Sequence, residues 1–188
     1  MLPRHITCAR SLLRPWRADD RAALLRHIDD RAVSRNLRLV PHPYTDDDAT
    51  AWLSVVVASP PPEGNYAIEV DGGLVGAIGL QRGTDIESQS FEVGYWLGRT
   101  LWGRGIMTDA LRAVTAAGFA EPDVARIYAP VFAWNPASMR VLEKAGYRRE
   151  AVLVRSGVKE GTLIDRVVYA ITRDVGLPYV AAPPPGDA

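Results

Sequence analysis

Cysteine is nearly absent: Cys8 is the only one in 188 residues. This excludes an intrachain disulfide and a cysteine-rich structural zinc site. A nucleophilic thiol needs a base beside it, and Cys8 precedes the first clear strand, so it is read as non-catalytic. Lysine is almost as scarce, at Lys144 and Lys159 alone, and arginine carries the positive charge. The 22 basic and 22 acidic residues cancel, whereas sequence-independent nucleic-acid binding needs basic excess. Hence no nucleic-acid partner is expected. No apolar run is long enough to cross a membrane, so no membrane partner is expected either. The N-terminus lacks the basic, apolar, small-residue order of a secretory signal, which makes the cytoplasm the expected location. His5, His27 and His42 are scattered without metal-ligand spacing, and no metal site is expected.

What remains is an ordinary globular composition, 47% hydrophobic and 23% charged. The length suits one compact domain. Residues 1–180 are expected to form it, with 181–188, which contain three consecutive prolines, as a disordered tail.

The chain opens with a short strand over Ser11–Trp16. Asp19 or Asp20 can cap a helix over 21–29. After the break at Pro41, Pro43 and Tyr44, Thr45 and the acids Asp46, Asp47 and Asp48 predict a helix start, since anions suit its positive end. That helix runs to about Ala58 and stops at Pro60, Pro61 and Pro62. Tyr66–Val70 and Leu74–Leu80 flank Asp71-Gly72-Gly73, a hairpin turn. A strand over 91–97 follows, then a helix over 108–119 with Ala110, Leu111, Val114, Ala117 and Gly118 on one small, close-packing face. A strand over 126–132 leads to a helix over 137–145, stopped by Gly146. The last pair of strands, 151–155 and 166–172, flanks Glu160-Gly161. This order indicates an α+β fold with a mixed, mostly antiparallel sheet flanked by helices.

Two segments carry chemistry. The first runs from Glu92 through Gly94, Leu97, Trp102, Gly103, Arg104, Gly105, Ile106 and Met107 to Thr108: strand, glycine loop, helix start. Glycines let backbone N–H groups approach an anion closely, and a helix N-terminus adds free N–H groups and the positive dipole end. A dinucleotide fold would need a third glycine where Thr108 stands, and a P-loop would need Gly-Lys-Ser/Thr; neither is present. A plain strand-to-helix turn remains the alternative. The second segment, Asn135-Pro136-Ala137-Ser138, opens a helix after a strand. Its polar side chains can serve chemistry or simply cap the helix.

In this order and separation the segments resemble the GNAT superfamily of N-acetyltransferases, and most closely its ribosomal-protein-alanine branch. Glu92-Val93-Gly94-Tyr95-Trp96, Trp102 to Thr108, Asn135 to Ser138, Gly146-Tyr147 and the opening Leu13-Arg14-Pro15-Trp16 all fit, over roughly residues 10–175. Two positions depart from the superfamily's phosphate motif. Trp102 stands where Gln or Arg is usual, and Met107 where Gly or Ala is usual.

The resemblance implies a sheet whose central strands splay around acetyl-CoA. The pantetheine arm would pair with backbone near Leu97, and the pyrophosphate would lie on Arg104 to Thr108. Trp102, Gly103, Gly105, Ile106, Met107, Asn135 and Ser138 complete the implied cofactor site. The acceptor amine attacks the thioester directly, with no metal and no covalent enzyme intermediate. Asn135 would orient the cofactor arm. Ser138 would give the departing thiolate a proton or a hydrogen bond, or merely cap its helix. Glu92 is the leading general base, with an exposed or ion-paired strand residue as its alternative role. A glutamate that some branch members place between the last two strands has its counterpart at Gly157, so that base is absent. Asp165 could bind a cationic acceptor or anchor its turn, and Glu160 reads as a turn residue. Trp134 reads as core rather than as acceptor pocket.

The acceptor that the resemblance implies is an amine. A lysine amine is neutral about once in ~2500 molecules at pH 7 and an α-amine about once in ~6, so a weak base suffices for an α-amine. That favours a peptide or protein N-terminus. A small-molecule amine is the alternative acceptor, and a catalytically silent acyl-CoA-binding module the alternative class. The resemblance allows a homodimer, which no feature of the sequence demands.

Overall fold

The computed structural model describes residues 2–61 and 65–180; the proposed 181–188 tail lies outside them. The described residues form an eight-stranded sheet in the order β1-β2-β3-β4-β5-β6-β8-β7. The strands are β1 (Ile6–Thr7), β2 (Leu12–Arg14), β3 (Tyr66–Val70), β4 (Gly73–Arg82), β5 (Ser90–Leu97), β6 (Arg126–Phe132), β7 (Arg148–Lys159) and β8 (Thr162–Thr172). The helices are α1 (Arg21–Ile28), α2 (Arg31–Ser34), α3 (Asp46–Ala58), α4 (Ile106–Phe119) and α5 (Pro136–Lys144). The expected α+β architecture is therefore present, mixed and mostly antiparallel, with β5–β6 the one parallel pair among the described residues.

Each face of the sheet buries its own apolar layer. Helices α4 and α5 cover one face. Met107, Ala110, Leu111, Val114 and Gly118 recur at helical spacing on α4 and pack with Ile78, Leu80, Phe91 and Ile127. Gly118 permits that approach, because a Cβ there would lie 2.8 Å from the tips of Leu80 and Ile127. Helices α1 and α3 cover the other face, where Leu24, Ile28, Leu53 and Val56 meet Trp16, Leu74 and Ala77. Central β4 is buried from Leu74 to Leu80 because both layers press on it.

Several sequence expectations need correction. A short strand, β1, precedes Cys8, and the first predicted strand shortens to Leu12–Arg14. Asp20 does not cap α1. Its carboxylate instead accepts from the Arg17 backbone N–H at 2.8 Å and from the Arg14 guanidinium at 2.8 and 2.6 Å. Helix α2 was not foreseen, its four residues being too few to show periodicity. Strands β7 and β8 run well beyond the predicted segments. Arg155, in a left-handed conformation, bulges out of β7, and its N–H donates to Asp165 Oδ1 at 2.8 Å. Asp165 thus anchors a bulge. Thr45 behaves as expected: its hydroxyl accepts from Asp48 N–H at 3.2 Å, and Asp48 reciprocates in a capping box.

Candidate functional site

Strands β5 and β6 pair only at their first residues, Ser90 with Arg126, Phe91 with Ile127 and Glu92 with Tyr128. Beyond that they diverge, β5 staying with β4 and β6 with β8. The Gly83 N–H donates to Ser90 O, and the Gly98 N–H to Val75 O. Main-chain direction alternates along a strand. The groups of Val93, Tyr95 and Leu97 therefore face the gap. Side chains alternate as well: Val93, Tyr95 and Leu97 point toward α4 and α5, and Glu92, Gly94 and Trp96 toward α1 and α3. The gap is an opening through the sheet that joins its two faces in one cleft of about 1440 Å³.

On the α4–α5 side the cleft meets the glycine loop. Gly103 and Gly105 have φ of +76° and +79°, the left-handed conformation that glycine adopts without strain. Gly105 is the residue before α4, so no side chain caps that helix, and its first-turn N–H groups are left for a ligand. Ile106 and Met107 send their side chains into the core and offer the cleft their backbone. Trp102 lies half-exposed over the loop, and its indole N–H donates to Leu97 O at 2.8 Å. That carbonyl is thereby engaged, leaving the other gap-facing groups of β5 for any added strand.

Leu97, Trp102, Gly103, Gly105, Ile106, Met107, Thr108, Asn135, Ser138 and Glu92 all line the cleft. Arg104 does not; its side chain points to solvent. The cations at this end are instead Arg10, Arg112, Arg140 and Lys144. Arg10 pairs with Asp109 in the first turn of α4 and lies over Gly105. Sequence reading missed it because it stands in the β1–β2 turn, about a hundred residues from the loop it covers.

Asn135 caps α5, its Oδ1 accepting from the Ser138 N–H at 3.1 Å. Ser138 Oγ is 2.8 Å from the Tyr95 hydroxyl, across the gap. Burial pushes the Tyr95 phenol far up, against the smaller opposing effect of its bond to Ser138. Tyr95 therefore keeps its proton and can donate it to Ser138 Oγ, which turns the serine proton toward the cleft. In the sequence Tyr95 stands out only as part of the Glu92 to Trp96 motif. The alternation along 91–97 places it on the α5 side, but nothing local names its partner 43 residues away.

On the α1–α3 side, Glu92 Oε1 receives Arg38 Nη1 at 2.7 Å. The Tyr128 phenol beside it is raised by burial first and by the Glu92 charge second. Trp134 is not core: its ring lies 4.9 Å from that of Phe132, tilted by 50°, and it stands partly exposed on the cleft wall. The segment after α2 closes this side. It is tied to the β7–β8 hairpin by the Lys159 ammonium donating to Val40 O at 3.3 Å, and α2 before it is tied there by Arg31–Glu160 contacts of 2.7 and 2.5 Å.

The family model described as "Acetyltransferase (GNAT) domain" matches residues 10–148. YjcK of Bacillus subtilis, whose name describes an N-acetyltransferase, is 38% identical over 101 residues, 54% of this chain and 56% of its own length. The chain thus matches little more than half of that relative. The uncharacterized N-acetyltransferase p20 of Bacillus licheniformis is 24% identical over 169 residues, 87% of this chain and 93% of its own. Among solved structures, Mycobacterium smegmatis RimJ in complex with CoA-disulfide superposes with a TM-score of 0.78 at 27% identity, covering 90% of this chain and 88% of that one.

Proposed function

The chain belongs to the acetyltransferase (GNAT) domain family, and from that premise we propose that it moves acetyl from acetyl-CoA to a primary amine, a peptide or protein N-terminal α-amine. The observation that carries this reading is the gap between β5 and β6. It lets a thioester held on the α4–α5 side meet an amine held on the α1–α3 side, with Ser138 and Glu92 on opposite sides of the reacting carbon.

The residues present fit acetyl-CoA. The uncapped α4 N-terminus, with Gly103 and Gly105 beside it and Arg10 above, suits a pyrophosphate. The gap-facing backbone of Val93, Tyr95 and Leu97 suits the amide-bearing arm. Asn135 positions Ser138 by holding the first turn of α5. On the acceptor side Glu92 takes the proton that the amine sheds, directly or through water. The C–N bond forms as the C–S bond breaks, and Ser138 meets the departing thiolate with the proton that Tyr95 orients toward it. The pKa of an α-amine supports this acceptor, since one carboxylate is base enough for it.

The test is thiol release from acetyl-CoA with peptides, amino acids, polyamines and aminoglycosides as acceptors. Acceptor-dependent release is expected. It should fall about tenfold or more in Ser138→Ala and in Glu92→Gln, and less in Tyr95→Phe, which removes only the orienting hydroxyl. Saturable acetyl-CoA binding with no release above background would replace this reading by a silent acyl-CoA-binding module.

A further inference from the structure

The acceptor side of the cleft has a floor, and the floor has a hole. Glu92, Gly94 and Trp96 share the α1–α3 face of β5. Gly79 and Gly94 are paired across β4 and β5. The space above Gly79 is filled: a Cβ there would lie 1.6 Å from Asn65 Oδ1. The space above Gly94 is open, with nothing within 4 Å of a Cβ. An acceptor seated there has Glu92 at one end, Trp96 at the other, and Trp134 on the far wall.

The charge at this seat is neutralised internally. Arg38, in the segment after α2, pairs with Glu92, and both line the cleft, as does Arg35. The Arg38 side chain is 56% exposed, and an ion pair so accessible contributes little to stability. Arg31, by contrast, is committed to Glu160 by a two-pronged contact. An ammonium arriving at Glu92 displaces Arg38 and leaves a guanidinium without its counter-charge. An acceptor that carries its own anion repairs that loss; a neutral or cationic acceptor does not.

We propose that the cleft selects a zwitterionic acceptor, a primary amine with a carboxylate or phosphate a few bonds away. The ammonium exchanges onto Glu92, the anion onto Arg38, and the body between them lies over Gly94. This rests on the acceptor-side role given to Glu92 above. Two sources share the chemistry, a free α-amino acid and a peptide N-terminus followed by an acidic residue.

Two matched probe pairs separate the sources: phenylalanine against phenylalaninamide, and Ser-Asp-amide against Ser-Asn-amide. Each is titrated calorimetrically into the full chain loaded with CoA, and each is assayed for thiol release from acetyl-CoA. In at least one pair the anionic member should bind about tenfold or more tightly than its neutral twin, and the pair that shows it names the source. Arg38→Gln should bring the anionic probe down to the neutral one. Arg38→Glu should turn the preference toward Ser-Lys-amide. Equal binding within both pairs, or a preference that survives Arg38→Gln, overturns the proposal. Thiol release with no such preference removes this inference and leaves the acetyltransferase reading standing. A preference in binding without thiol release does the reverse, and neither binding nor release removes both.

Discussion

Arg14 is 1% exposed, the most deeply buried charge among the described residues. It survives there because Asp20 takes two of its nitrogens, at 2.8 and 2.6 Å, and Glu69 a third, at 2.5 Å. Removing one partner of a buried pair strands the other, which costs about 3–5 kcal/mol. Asp20→Ala should therefore destabilise the chain by that order, read as a lowered urea midpoint, while Asp19→Ala next door should change little. An Asp20→Ala protein that unfolds like wild type would show that Glu69 and solvent suffice for Arg14. The sequence pointed to Asp19 or Asp20 as a helix cap because an acid before a helix usually is one. The real partners of Asp20 are Arg14, six residues before it, and the Arg17 backbone N–H, and Glu69, which shares Arg14 with it, stands 49 residues further on; no local pattern joins them. Arg10, Arg38 and Tyr95 escaped for the same reason. Residue types at a spacing reveal glycine loops and helix caps, but not an ion pair closed by the fold across a cleft.

Elements were more legible, because period and punctuation are local. The α4 stripe and the Asp71–Gly72 turn, both residues at positive φ, follow directly from pattern. The stop of α5 at Gly146, φ +96°, follows in the same way. The long final strands were not readable, since the Arg155 bulge interrupts the alternation that would have joined their halves. The loop before α4 gives the element-scale prediction. A Cβ on Gly105 would make only ordinary contacts, 3.6 Å from the Arg10 guanidinium, so steric exclusion is not the issue. The cost of Gly105→Ala is the left-handed backbone, about 1–2 kcal/mol. The chain escapes that cost by rotating the loop, which turns the first N–H groups of α4 away from the cleft. Acetyl-CoA KM should rise several-fold with a smaller change in thermal midpoint. Gly94→Ala, at ordinary φ, should leave stability alone and weaken the acceptor more than acetyl-CoA. Equal effects of both variants on acetyl-CoA would dissociate the loop from the cofactor end.

At the scale of the whole molecule, the motifs at 92–108 and 135–138 pointed to segments that line one cleft, while the divergence of β5 from β6 followed only from resemblance. Strand order is set by long-range pairing that composition does not encode. Composition does set how the molecule meets alkali. With two lysines in the chain and arginine the other base, which stays charged throughout, little besides tyrosine loses a proton between about pH 10 and 12. Burial raises Tyr44, Tyr66 and Tyr147 to about 12 and Tyr95 further still. Tyr44 and Tyr66 also donate to carbonyls that a phenolate would repel, Asp48 O and Pro3 O, whereas the hydroxyl partners of Tyr147 and Tyr95, Thr115 and Ser138, oppose the effect of burial without cancelling it. These groups hold their protons more tightly folded than unfolded. Their contribution is therefore complete below the unfolded value near 10 and is lost as pH rises through the folded values. The exposed carboxylates Asp48, Asp123 and Glu150, lowered by hydrogen bonds from Thr45, Arg82 and Arg126 respectively, act in the opposite sense below about pH 4, weakly because solvent screens them. The urea midpoint should hold level from about pH 7 to 9, the window that the lowered His27 and the raised Cys8 leave, and then fall steeply between about 10 and 12. Tyr66→Phe, less stable at neutral pH for want of its bond to Pro3, should fall less steeply. A midpoint level through pH 12, or a slope indifferent to Tyr66→Phe, would mean that these phenols ionise as readily in the folded chain as in the unfolded one.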